Sequence, residues 1–120
     1  MSSPHKALLE TLAGRMSAGQ FDGLDAFFTD DFRLHDPGKP QWPVGRAGAV
    51  QMIQGFSALG EDLRLDVLDA IEEGDKVVVR WGVAWTRDGV REQAAIIGIY
   101  RFADRRIAED WGVATRAPWP

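Results

Sequence analysis

The second half of the chain alternates. Leu63, Leu65, Val67 and Ile71 share one parity, with Asp62, Arg64 and Asp66 on the other. Val77, Val79, Trp81, Val83 and Trp85 repeat the pattern. A period of two belongs to strands that bury one face. Gly74-Asp75, Asp88-Gly89 and Asp104-Arg105 interrupt it as short turns. Connections that short cannot join parallel strands, so successive strands must pair antiparallel. The spacing predicts strands around Leu63 to Ile71, Val77 to Trp85, Arg91 to Ala103 and Arg106 to Thr115.

The first half reads as helix. Ser3-Pro4 is a cap followed by a first-turn proline, and Leu8, Leu9, Leu12 and Met16 recur at helical spacing up to Gly19. A short second helix is predicted over Asp22 to Phe28, and a third over Arg46 to Leu59, carrying Val50, Ile53 and Phe56. Between them Phe32 to Asp36 alternates like a short strand, and Pro37 to Pro43 is a loop by composition. The expectation is α+β: three N-terminal helices packed on a curved antiparallel sheet, mixed at most at one edge.

At 120 residues the chain is expected to form a single domain over 1–120, large enough to bury a core. It has no cysteine, which excludes disulfides and thiolate-bound metals. Fourteen basic against 18 acidic residues give a net charge of −4, which argues against a nucleic-acid partner. No apolar run approaches a membrane span, and the N-terminus lacks the apolar stretch of a signal peptide. A cytoplasmic location is the resulting expectation.

Three segments, Phe28-Thr-Asp-Asp-Phe-Arg-Leu-His-Asp-Pro37, Glu73-Gly-Asp-Lys-Val-Val-Val-Arg-Trp81 and Gly98-Ile-Tyr-Arg-Phe-Ala-Asp-Arg-Arg-Ile-Ala-Glu-Asp-Trp111, combine with this helix–sheet order. In order and spacing they resemble the SnoaL-like branch of the nuclear transport factor 2-like superfamily. That branch includes polyketide cyclases and is related to ketosteroid isomerase. The resemblance runs from about Leu8 to Val113. It implies a cone-shaped α+β barrel enclosing an apolar pocket between sheet and helices.

Within such a pocket Asp36 is the first candidate. Parity places it with Phe32 and Leu34 on the inward face, and the resemblance matches Asp36-Pro37 to the proton-shuttling base of the isomerase. A carboxylate at an apolar rim can take a proton from carbon. The alternative role is to accept backbone hydrogen bonds in the Pro-Gly turn. Asp110 is the second candidate, standing where relatives in the cyclase branch usually carry His. Two inward carboxylates could share a proton; the alternative is a solvated residue at the barrel mouth. His35, of opposite parity to Asp36, is a candidate rim residue. Phe56, Trp81, Val83, Trp85 and Tyr100 are expected pocket walls, with Trp42 as a lid residue, suited to an apolar or aromatic ligand. The same aromatics equally serve as core. Arg80 falls on the outer face, where Asp66 or a neighbour of Arg64 is its expected cross-strand partner. Nothing at ligand spacing supports a metal site, and no cofactor is expected.

The resemblance also has gaps. The oxyanion donors of the isomerase fall on Leu12 and Gly98, and the cyclase acid/base carboxylate also falls on Gly98. Of the epoxide hydrolase set only Arg80 has a near match, with Gly82 and Gly112 where carboxylates are expected. Two functional readings stay open. One is an enzyme that isomerises, cyclises or hydrates a small carbonyl compound with Asp36 as base. The other is a non-catalytic ligand-binding or dimeric interaction module. Val78, Ala84, Ile97, Ile99 and Val113 on the outer sheet face predict a homodimer.

Overall fold

In the computed structural model, which describes residues 3–120, the first helix, α1, spans Pro4–Ser17. The Ser3 side chain caps it by accepting from the Lys6 N–H at 3.1 Å. Leu9, Leu12, Ala13 and Met16 form its buried side. Hydrogen bonds fasten both ends to the sheet. The Ser17 hydroxyl accepts from the Leu65 N–H at 2.9 Å. The Ser3 hydroxyl donates to the Glu72 carboxylate, and His5 Nδ1 lies 3.1 Å from the same group.

After α1 come β1 (Phe28–His35), α2 (Arg46–Ser57), β2 (Glu61–Glu73), β3 (Lys76–Arg87), β4 (Val90–Ala103) and β5 (Arg106–Thr115). The strand order is β1-β5-β4-β3-β2. β2 to β5 form an antiparallel meander, and β1 adds to β5 in parallel at one edge. α1 packs against β2 and α2 against β1, so the helices stand over opposite sides of one sheet face. None of the described helices is long and apolar enough to cross a membrane.

Two features depart from the sequence expectation. The described residues hold two α-helices, not three. Asp22 to Phe28 contains only a 3-10 turn, Leu24–Phe27, because Gly23 enters it with a left-handed φ of 76° and Phe28 is already extended and part of β1. The sheet is also open: its edge strands β1 and β2 do not pair with each other, so no barrel closes.

The buried face follows the expected parity along β3, where Val77, Val79, Trp81, Val83 and Trp85 are all buried. Along β2 parity fails beyond Val67. A bulge inserts Leu68 between the Val67–Trp81 and Asp69–Arg80 pairs. One extra residue sends every later side chain to the opposite face. Ile71 is therefore exposed, and Ala70 packs on the core in its place. For the same reason Arg80 pairs with Asp69 at 3.1 Å, and Asp66 is taken by Arg64.

Candidate functional site

A second bulge builds the site. β4 pairs Arg101 with Glu109 but Phe102 with Ile107, which leaves Ala108 as the extra residue. Without it, Ile107 and Asp110 would face opposite ways. With it, both face the cavity of about 120 Å³ enclosed by the two helices and the sheet. Leu12 and Met16 from α1, Met52 and Phe56 from α2, and Leu65, Trp81 and Ile96 from the sheet give it apolar walls. Its polar side chains are Asp36, Lys39, Tyr100 and Asp110.

Asp110 is 6% exposed and accepts no hydrogen bond from any described residue. An anion there has lost water without gaining a donor. Burial, and next the charge of Asp36, push its pKa up to about 7, with Lys39 pulling the other way. Its proton is consequently about half occupied at neutral pH, the condition in which a carboxyl works as acid and base in turn.

Asp36 is placed differently. Its Oδ1 accepts from the Gly38 N–H at 2.8 Å, and its Oδ2 lies 3.5 Å from Lys39 Nζ. It sits at the cavity mouth inside an Asx turn and an ion pair. Lys39 was not among the residues expected from sequence. A lysine directly after Asp-Pro-Gly, three residues from the aspartate, was the available signal, since the turn folds it back on Asp36.

Tyr100 is the direct cross-strand partner of Asp110. Its hydroxyl accepts from Trp81 Nε1 at 2.8 Å, and the two rings meet edge-on with centroids 6.1 Å apart. Burial, then the neighbouring Asp110, raise its pKa well above the ordinary phenol value, so it stays protonated. Gly98 leaves room for it: a Cβ on Gly98 would come within 2.6 Å of the Tyr100 oxygen.

Of the residues singled out from sequence, the cavity brings together Asp36, Asp110, Phe56, Trp81 and Tyr100. The others stand elsewhere. Val83 and Trp85 lie in the core, where Trp85 Nε1 donates to Glu92 at 2.7 Å. His35 stacks on Trp111 with centroids 5.0 Å apart and bonds Glu109 at 2.8 Å. Trp42 donates to the Gly48 carbonyl at 3.0 Å and carries Lys39 Nζ 5.5 Å above its ring. It thus acts on the mouth through Lys39. No cluster of three His, Cys, Asp or Glu suited to a metal occurs among the described residues.

Solved structures share this architecture. A proposed polyketide cyclase of Acidithiobacillus ferrooxidans superposes with a TM-score of 0.80 at 23% identity, over 97% of this chain and 91% of its own. AclR, a proposed hydroxylase of Streptomyces galilaeus, gives 0.77 at 24% identity, over 95% and 80%. A protein of Catenulispora acidiphila with a ketosteroid isomerase-like fold, solved with trimethylamine, gives 0.74 at 16% identity, over 88% and 83%. At such identities the likeness establishes the fold alone. No curated protein sequence matches the chain. The family model of the SnoaL-like domain, however, matches residues 8–110, nearly the whole span that carries the helices, the sheet and the cavity, so the chain belongs to the SnoaL-like domain family.

Proposed function

We propose that the cavity binds a small apolar or aromatic carbonyl compound and moves a proton on it, in an isomerisation, cyclisation or hydration. The observation that carries this reading is Asp110, a buried carboxyl with no hydrogen-bond partner among the described residues, on the wall of a mainly apolar cavity. Asp110 suits the role of proton carrier. Burial first, and then the negative charge of Asp36, whose oxygens are engaged by Gly38 and Lys39, keep the Asp110 proton within reach of neutral pH. This reverses the roles expected from sequence. An engineered apolar cavity of roughly 150 Å³ accommodates benzene. A cavity of about 120 Å³ therefore fits a single ring or a short chain, and a multi-ring ligand requires the mouth to open.

The test uses cyclohexanone in D2O, with deuterium uptake beside the carbonyl followed by NMR. The protein should accelerate uptake, and Asp110→Asn should reduce the protein-dependent rate by about 100-fold or more. A variant as fast as the parent would remove Asp110 from the chemistry. Binding of the ketone without exchange would favour the non-catalytic module, the reading suggested by Leu12 and Gly98 at the family donor positions.

The outer sheet face supports self-association as well. Ile97, Ile99 and Val113 are exposed there beside Trp111. Sedimentation at tens of micromolar is expected to give the dimer mass, and Ile99→Lys the monomer mass. A monomer for the parent chain would refute this.

A further inference from the structure

We infer that Tyr100 donates the hydrogen bond to the ligand's carbonyl oxygen, so that the cavity selects single-ring compounds whose carbonyl passes through an enolate beside Asp110. The inference rests on the reading above and supplies the second partner that enolate chemistry needs. A carboxylate that removes a proton from carbon is of little use unless the charge arriving on oxygen meets a donor.

The geometry provides one such donor in the cavity interior. Tyr100 and Asp110 face each other across β4 and β5 and line the same cavity. The Tyr100 oxygen already accepts from Trp81 Nε1 at 2.8 Å, which fixes the phenol and leaves its own proton to be given away. That proton has no acceptor among the described residues. Gly98 maintains the position, because any side chain there would meet the phenol oxygen. Trp81 Nε1 is taken by the Tyr100 oxygen, and Lys39 is engaged with Asp36 at the mouth. The family donors absent at Leu12 and Gly98 are thus replaced from two residues further along the same strand, in the space that Gly98 vacates.

The step balances. The ionised Asp110 takes the proton from the carbon next to the carbonyl. The C–H electron pair forms the C=C bond, and the carbonyl π pair moves onto oxygen. Oxygen then accepts from the Tyr100 O–H, whose proton stays on the phenol. The step creates no new net charge: one negative charge moves from Asp110 to the oxygen, while the Asp36–Lys39 pair at the mouth is unchanged. Where the substrate is a β,γ-unsaturated carbonyl, return of the proton from Asp110 to the far carbon of the dienolate moves the double bond into conjugation, restores the carboxylate and completes an isomerisation; return to the original carbon regenerates the substrate.

The probes are 4-nitrophenol, whose anion stands in for the enolate, and toluene, a ring without polar atoms. Tyr100→Phe should weaken 4-nitrophenolate binding by roughly 10- to 100-fold, the range for hydrogen bonds to charged groups. Toluene affinity should change by less than about two-fold, as expected for near-equal apolar burial. Removing the hydroxyl also leaves Trp81 Nε1 without its acceptor. A second measurement therefore keeps the fold intact. Tyr100 is the single tyrosine of the sequence, so biosynthetic 3-fluorotyrosine changes this hydroxyl alone. The more acidic phenol should raise the fraction of 4-nitrophenol bound as its anion. Unchanged 4-nitrophenolate binding in both proteins, with toluene still bound, would overturn the inference and leave the cavity reading standing. Failure of the parent protein to bind either probe would overturn the cavity reading itself.

Discussion

Asp110→Asn is expected to stabilise the fold by about 2–4 kcal/mol at pH 8 and to change it little at pH 4. Asp110 has an ordinary carboxyl pKa of 3.8 in the unfolded chain and one of about 7 in the fold. Below the lower value both states are protonated and the group contributes nothing. Between the two values the unfolded chain is ionised while the folded one still holds its proton. Stability then falls by about 1.4 kcal/mol per pH unit. Above pH 7 both states are ionised and the full penalty of the buried anion is present. Asparagine has the same shape and carries no such penalty. Two other carboxylates act in the opposite sense. Glu72 is held below its usual pKa chiefly by the Ser3 hydroxyl. Burial pushes Glu109 up, but bonds from Arg101 and His35 outweigh it and hold it low. Their stabilisation is present above the usual glutamate pKa and is lost as pH falls. The difference between parent and variant, measured by urea unfolding at pH 4, 6 and 8, isolates Asp110. Parallel pH profiles would show that its carboxyl is not desolvated. Gaining stability while losing exchange activity is the expected signature of a site group kept at a cost to the fold.

The strands and their order in sequence were legible because period-two patterning and short turns depend on neighbours a few residues apart. Asp88 and Gly89, and likewise Asp104 and Arg105, take the left-handed backbone such turns require. The bulges at Leu68 and Ala108 were not legible. Leu68 and Ala108 are ordinary strand residues, and what makes them extra is the register of a partner strand distant in sequence. Each bulge shifted what lay beyond it: Ile71 and the partner of Arg80 in β2, and the shared direction of Ile107 and Asp110 in β5. The site was therefore half readable. Parity turned Asp36 inward and the family resemblance did the same for Asp110, and both line one cavity. Which of them is desolvated depends on the Ala108 bulge, which leaves no pattern in the sequence, and on Lys39, whose place just after Asp-Pro-Gly was the one local signal. The open sheet was hidden for a similar reason, since closure depends on whether β1 and β2 meet, and no local signal encodes that. Gly98 was legible only as a lost carboxyl. The structure shows what fills the space, the Tyr100 phenol from two residues along the same face.

Trp81→Ala is expected to cost about 3–5 kcal/mol, the range for truncating a buried aromatic. Trp81 is 4% exposed at the centre of β3, between its cross-strand partners Val67 and Ile96. Removing the indole deletes that packing, leaves a void beside the cavity it already lines, and frees the Tyr100 hydroxyl. The Trp81 backbone carbonyl is unaffected and keeps its bond from Trp119 Nε1 at 2.8 Å, so the end of the chain should stay docked. Trp81→Phe separates the contributions. It retains most of the apolar volume and removes the N–H with a small part of the ring, so its cost should be about 1–2 kcal/mol, that of a buried hydrogen bond and a small void. In denaturant unfolding a loss below about 1 kcal/mol for the alanine variant would place Trp81 outside the core and overturn the inward parity of β3. The two substitutions should also diverge in ligand size. Alanine merges the void with the cavity and should admit a two-ring compound such as naphthalene, which the parent excludes. Phenylalanine should keep the single-ring limit, because the wall that Trp81 provides is set by its ring and not by its N–H.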